Sequence, residues 1–361
     1  MEKVSITIIG AGIVGLAVAA ELSKKHKDVV LIEKEASFGQ ETSSRNSEII
    51  HAGIYYEKDS LKAKLCVEGK HLLYAFCQEN NIPHKKLGKL IVALDENEHK
   101  QLETLREKAK NNGVNDLVWL NKQQIKEYEP AVNGCSALFS PSTGIVDSHS
   151  LMKCLEQKAE MNGVMISYGS KVTAIEQVSD GYRVEINHEY SFVTGKLINS
   201  AGLFADKIAE IAGIDVKQKK YKLYYCKGEY FSYDKPSFIN HLVYPVPEQD
   251  LKGLGVHSVV DLGGLLKFGP NAFYVDELNY DVNISHRKNF YDSIKKMFPQ
   301  IQEQDLSPDQ SGIRPKLSGP GQGIRDFVIN EDLPGFINLI GIESPGLTAS
   351  LGVGRYVADL V

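Results

Sequence analysis

Hydrophobic positions follow two rhythms at the start of this chain. Val4 to Ile9 is a short β-branched run and Val29 to Ile32 is another. Between them Ile13, Leu16, Ala17 and Ala20 recur at the spacing of one helical face. The first run passes into its helix through Gly10-Ala11-Gly12-Ile13-Val14-Gly15, and the second ends in Glu33. Strand, glycine turn, helix, strand and acid is the layout of a dinucleotide-binding βαβ unit. Gly10 allows the tight turn, Gly12 lets backbone approach a pyrophosphate, and Gly15 lets helix and strand pack closely. The free N–H groups of the helix start point at the phosphates, and the Glu33 carboxylate suits a ribose diol.

The same pattern reading carries down the chain. Ser60 suits the cap of a helix carrying Leu61, Leu65, Leu72, Leu73 and Phe76 at helical spacing. Leu87 to Leu94 reads as a strand, and Asn97 to Asn112 as a charged surface helix stopped by Gly113. Asp147 and Ser148 open another helix, followed by strands near 164–168, 171–177, 182–186 and 190–198. The last of these runs into Ser200-Ala201-Gly202 and a helix bearing Phe204, Ile208 and Ile211. From Tyr221 to Phe273 the segments are rich in Tyr, Val and Leu and broken by Pro and Gly, which favours a mixed or antiparallel sheet. A helix is expected near 285–298. The tail returns to strand, turn and helix at Phe336 to Ile340, Gly341 to Thr348 and the apolar stretch beyond, with Pro345 suited to a helix start.

The expected fold class is therefore α/β: a Rossmann-like nucleotide domain of the glutathione-reductase type plus a mixed or antiparallel β-sheet substrate domain. At 361 residues two domains are the natural division. The nucleotide domain would be discontinuous, from residues 1–85, 140–218 and 310–361, with 86–139 and 219–309 forming the substrate domain.

Composition narrows the class of partner. The chain is 42% hydrophobic and 24% charged with a formal net charge of −5, which suits a soluble globular protein and argues against nucleic acid. The five cysteines, Cys66, Cys77, Cys135, Cys154 and Cys226, form no CxxC pair, as expected in a reducing compartment. No export signal or membrane-spanning run is visible. The expected location is cytoplasmic, with peripheral contact at the inner face of a membrane left open. No HExxH, Cys/His cluster or nucleophile elbow appears, so no metal site is expected.

The glycine turn alone leaves NAD and FAD nearly level. Three turns of one type, at Gly10 to Gly15, Ser200 to Gly202 and Gly341 to Thr348, would hold one long extended ligand, which suits FAD better than a dissociating nicotinamide. The N-terminal motif, the loop Glu41-Thr42-Ser43-Ser44-Arg45-Asn46-Ser47 leading to Ile50-His51-Ala52-Gly53, Ser311-Gly312-Ile313-Arg314-Pro315 and Ser344-Pro345-Gly346-Leu347-Thr348 together resemble the FAD-dependent D-amino-acid oxidase / glycerol-3-phosphate oxidase superfamily. Within it, His51-Ala52-Gly53-Ile54-Tyr55-Tyr56, Gly228-Glu229-Tyr230-Phe231, His241 to Pro247 and Gly255-Val256-His257 look most like L-2-hydroxyglutarate dehydrogenases/oxidases. The likeness runs over nearly the whole chain.

That resemblance implies FAD contacts at Ile13, Glu33, Thr42, Ser43, Ser47, Glu48, Ile49, Val172, Ile342 and Glu343, beside the turn residues Ala201, Gly202, Gly346 and Leu347. It also implies oxidation of a small L-2-hydroxy acid, with L-2-hydroxyglutarate to 2-oxoglutarate the first choice, by hydride transfer to flavin N5. His51 is the expected base, because imidazole is neutral and basic near pH 7; His257 is the second choice. Arg314 would fork onto the substrate carboxylate, with Ser47, Ser344 and Tyr56 completing the substrate site and Tyr55 and Tyr244 as wall residues. Glycerophosphate oxidases place a cationic contact where this chain has Leu254, with Lys252 and Lys267 near it. The alternatives are a glycine- or sarcosine-type amine oxidase, a glycerol-3-phosphate oxidase, or a dinucleotide-binding protein with no catalysis. The electron acceptor could be oxygen, a quinone or a carrier protein.

Overall fold

The computed structural model describes residues 2–247 and 255–361. Five parallel strands form the centre of the first sheet, in the order Phe336–Ile340, Tyr190–Asn199, Lys3–Ile9, Val29–Ile32 and Met165–Ser167. The hairpin Val172–Val178 and Gly181–Ile186 pairs antiparallel with the first half of Tyr190–Asn199, and Val328–Leu333 runs antiparallel to Phe336–Ile340. Strand alternation places Ile6 and Ile8 in one core and Ile9 in the core on the opposite face. Both faces are covered, which explains why these strands read as nearly continuous apolar runs.

The helices Ile13–Leu22, Ser148–Met161 and Gly346–Ala358 share the first of these cores. Leu61–Glu79 packs on the last of them, capped by Ser60, whose Oγ accepts from Ala63 N. The Asp147 carboxylate caps Ser148–Met161 through Ser150 N. No helix among the described residues is long and apolar enough to cross a membrane.

A second, nine-stranded sheet is almost wholly antiparallel; only Lys89–Ala93 and Leu242–Pro245 run parallel. Its longest pairing joins Tyr224–Tyr233 to Leu306–Lys316, with Cys226 opposite Arg314 and Gly228 opposite Gly312. The expected boundary at residue 310 therefore cuts through a strand that belongs with the second sheet along its length. Pro308 and Pro315 obscure that strand in the sequence. They are tolerated because it lies at the sheet edge, where a missing N–H breaks no second ladder. The helix expected near 285–298 is a 3₁₀ turn, Ile284–His286, leading into Arg287–Ile294. Between the two sheets a three-stranded ribbon, Ile49–Ile50, Gly144–Val146 and His84–Lys85, delivers the chain to His51.

Candidate active site

The glycine turn has the geometry its sequence requires. Gly10 has φ +103°, and a Cβ there would sit 2.7 Å from the Ser200 carbonyl oxygen, so the first and second turns close on one another only because Gly10 lacks a side chain. Gly15 packs directly against the Gly10 carbonyl, as close helix–strand packing demands. Ala11 N donates to Glu33 Oε2 at 2.7 Å and Glu35 N to Oε1 at 2.9 Å, tying the end of the second strand to the turn. Ile13 N donates to Ser43 Oγ at 3.0 Å, so Ser43 holds the helix start and keeps its own hydroxyl proton for an acceptor in the cavity.

These residues line one end of a cavity of about 930 Å³. Gly10, Gly12, Ile13, Glu33, Thr42, Ser43, Val172, Ala201 and Gly202 meet there. Ser47, Ile49, His51, Ile342, Glu343, Ser344, Gly346 and Leu347 continue the wall, and Tyr55, Tyr56, Tyr244, His257 and Arg314 line it from the second sheet and the ribbon loop. The volume lies within the range of sites that bury a large cofactor or ligand.

Two expectations change in detail, at Glu48 and Thr42. Glu48 does not line the cavity: its carboxylate accepts from Ser148 N and Oγ at 2.9 and 2.7 Å. Its backbone is also occupied, since Glu48 N donates to Asn46 Oδ1 and its carbonyl accepts from Val146 N. Thr42 does line the cavity, but its hydroxyl donates to the Ile313 carbonyl at 3.0 Å and tethers the loop to the second sheet. Lys267 is paired with Asp309 at 2.8 Å, whereas Lys252 and Leu254 lie outside the described residues.

His51 is held at its backbone, where its N–H donates to Thr348 Oγ1 at 3.0 Å. Its Nε2 lies 3.3 Å from Ser344 Oγ, and its buried Nδ1 has no hydrogen-bond partner among the described residues. Burial, reinforced by the charges of Lys89 and His257, pushes the imidazole down to about 3, so it is a neutral base at physiological pH. His257 stands on the second sheet with its ring stacked on Tyr244, centroids 3.7 Å apart. Its Nδ1 meets the Gly255 carbonyl at 2.9 Å, which leaves Nε2 as the acceptor nitrogen. Burial likewise lowers it to about 3, with Lys89 and Arg314 adding to the effect.

Arg314 Nη2 donates to the Asn271 carbonyl at 3.1 Å, and no carboxylate among the described residues pairs with the guanidinium. Gly228 makes room for it: a Cβ there would lie 2.7 Å from Arg314 Nη2. At the mouth of the last helix Glu343 receives Lys62 at 2.9 Å and Lys316 at 3.5 Å. Burial alone would raise that carboxyl, but the two lysines overcome it and hold Glu343 at about 2.

Sequence reasoning missed Lys62, Lys316 and Lys89. Lys89 was hidden because a lysine at the start of Lys89-Leu90-Ile91-Val92-Ala93 reads as the solvated end of a strand, whereas its side chain is wholly buried.

A parallel sheet beside a largely antiparallel one, with three turns lining one cavity, defines a dinucleotide-binding fold. The model of the FAD-dependent oxidoreductase family matches residues 5–360, and the chain belongs to that family. It is 40% identical to a mitochondrial L-2-hydroxyglutarate dehydrogenase from Arabidopsis thaliana, over 99% of this chain and 83% of that protein. It is 33% identical to a glycerol 3-phosphate dehydrogenase from Caloramator mitchellensis, over 99% of this chain and 73% of the relative. The solved structure of dithionite-reduced L-α-glycerophosphate oxidase from Mycoplasma pneumoniae with FAD bound matches at TM-score 0.90 and 32% identity, covering 100% of this chain and 95% of that one. The protein is thus an FAD-dependent enzyme, and the cavity fits the cofactor: the Gly10 cradle, the free Ser43 hydroxyl proton and the start of the Gly346–Ala358 helix all face it.

Proposed function

We propose that this chain oxidises a small L-2-hydroxy acid, with L-2-hydroxyglutarate the preferred candidate, to the corresponding 2-oxo acid. The observation that carries the reading is a neutral imidazole and a guanidinium that no carboxylate among the described residues pairs with, lining one cavity, His51 and Arg314. Arg314 would bind the C1 carboxylate through its forked N–H groups. His51 Nε2, hydrogen-bonded among the described residues to the Ser344 hydroxyl alone, would take the hydroxyl proton. Bound FAD supplies the two-electron acceptor for the C2 hydride. Ser47, Ser344 and Tyr56 would pack around the substrate, and His257 Nε2 is the rival proton acceptor. The name and 40% identity of the Arabidopsis relative support the choice of substrate.

The corresponding division of labour is an FAD unit centred on the parallel sheet and a substrate unit centred on the nine-stranded sheet, which takes in Leu306–Lys316. Oxygen, a quinone or a carrier protein would accept the electrons, in the cytoplasm or at the inner membrane face. Names of other relatives favour a second reading, glycerol 3-phosphate as substrate. Anaerobic mixing of the flavin-loaded protein with L-2-hydroxyglutarate, glycerol 3-phosphate, glycine and sarcosine decides. Bleaching by the hydroxy acid at the lowest concentration is expected; bleaching by glycerol 3-phosphate or an amine alone overturns the proposal.

A further inference from the structure

Lys89 is fully buried, and no carboxylate among the described residues pairs with its ammonium. Its Nζ donates to Tyr55 Oη at 3.1 Å and lies 4.6 Å from the ring centroids of both Tyr55 and Tyr244. Two aromatic faces attract a cation through their ring quadrupoles only modestly. That does not replace a counter-ion for a charge removed from water.

The hydroxyls around it are also unfinished. Tyr55 Oη accepts from Lys89, so its own proton must be given elsewhere, and no acceptor among the described residues takes it. Tyr244 Oη is buried with no hydrogen-bond partner among the described residues. Both tyrosines line the cavity. A cation without an anion and two phenol donors without acceptors converge on one wall, and Arg314 stands on the same cavity as a second unpaired cation. His257 feels both charges, since Lys89 and Arg314 each lower it. A ligand with one carboxylate would satisfy Arg314 and leave the Lys89 wall unfinished. A dicarboxylate completes both.

We propose that Tyr55 and Tyr244, oriented and charged from behind by Lys89, form a second carboxylate subsite that binds the tail of a five-carbon dicarboxylate while Arg314 holds its head. Tyr55 and Tyr244 touch the tail through O–H donors; Lys89 is a positioning residue that acts through the Tyr55 oxygen. The subsite deepens the 2-hydroxy-acid reading and rests on it for the identity of the head group.

The test uses flavin-loaded protein and two unreactive five-carbon acids, glutarate and pentanoate, titrated against the flavin absorption spectrum. Wild-type protein is expected to bind glutarate at least tenfold more tightly than pentanoate. Tyr55→Phe, which removes one oxygen and keeps the packing, and Lys89→Met should each collapse that preference by about tenfold, and the double variant should do little more than either. No preference in the wild type, or a preference untouched in both variants, overturns the subsite. Tighter competition by n-propyl phosphate than by glutarate assigns the wall to a phosphate tail and overturns it as a carboxylate site. A protein that prefers glutarate yet oxidises no 2-hydroxy acid leaves the subsite standing and removes the oxidation reading. In turnover with 2-hydroxyglutarate the losses should fall mainly on KM, as expected for tail binding, rather than on kcat.

Discussion

Ser344 Oγ lies 3.3 Å from His51 Nε2, joining the entrance of the last helix to the end of the Ile49–Ile50 strand across the cavity wall. With Nδ1 unpartnered, the serine is the imidazole's one side-chain contact by hydrogen bond among the described residues. His51→Ala should therefore lower kcat by about 10²–10⁴, the range of a general base, while leaving the bound flavin spectrum intact. Ser344→Ala removes the hydrogen bond to His51, worth about 0.5–1.5 kcal/mol, and should cost no more than about tenfold. Single-turnover flavin reduction measures both. If His257→Ala lost more than His51→Ala, the role would move to the second sheet.

Gly228 sits opposite Gly312 and beneath the Arg314 guanidinium. Gly228→Ala would put a methyl 2.7 Å from both Arg314 Nη2 and Pro270 Cβ, distances that force the arginine aside. The expected result is a KM for 2-hydroxy acids raised about tenfold or more, since about 1.4 kcal/mol is one factor of ten. Flavin content should be unchanged, because the cofactor cradle lies on the other sheet. Steady-state kinetics beside the ratio of flavin to protein absorbance checks it.

The parts legible in the sequence are those with a local cause. The Gly10 turn announces itself because strand, turn, helix and acid are contiguous, and the Ser60 and Asp147 caps follow from short polar side chains preceding apolar periodicity. The return of a strand–turn–helix unit at Ser200 and again at Gly341 was enough to place three distant segments on one cavity. What stayed hidden depends on partners far along the chain. Leu306–Lys316 is a strand because Tyr224–Tyr233 templates it, against the local discouragement of two prolines. Glu48 turns away because Ser148 claims its carboxylate. Lys89 is buried because its neighbours Tyr55 and Tyr244 arrive from separate loops and strands, and residue type alone argues for a surface position.

Glu343 supplies a test at acid pH. Its carboxyl is held at about 2 in the folded protein, below its ordinary value of 4.5. The folded state thus binds this proton less readily than the unfolded chain. Its stabilising contribution is fully present above about pH 5 and is lost as pH falls from there through 2. Glu343→Gln leaves Lys62 and Lys316 without their shared anion and should destabilise the protein by roughly 3–5 kcal/mol, as breaking a buried ion pair does. The variant should lose part of the acid sensitivity of the wild type. Thermal midpoints of both proteins between pH 3 and 7 read the difference.

Lys89 governs the pH response on the neutral side. Burial lowers it to about 7. The surrounding groups do not change charge there: His51 and His257 are neutral from about 3 upward, burial raises Tyr55, Tyr56 and Tyr244 above the ordinary tyrosine value of 10.0, and burial pushes Cys66 up to about 12. Below pH 7 the ammonium is present and attracts an anionic tail; above it the charge is lost from free enzyme. Affinity for glutarate should therefore fall as pH rises through about 7, and this limb should vanish in Lys89→Met. The same group has a cost. An unfolded lysine keeps its proton up to about 10.5, so folding with a depressed value is penalised most below pH 7, and the penalty shrinks as pH rises from 7 towards 10.5. Lys89→Met removes the unpaired charge and should raise stability at pH 6 by about 1–4 kcal/mol, by analogy with apolar replacement of buried ions, while losing the dicarboxylate preference. A melting temperature that rises as ligand discrimination falls is the signature of a residue kept for binding rather than for the fold. A lysine serving only the fold would lose stability on the same substitution.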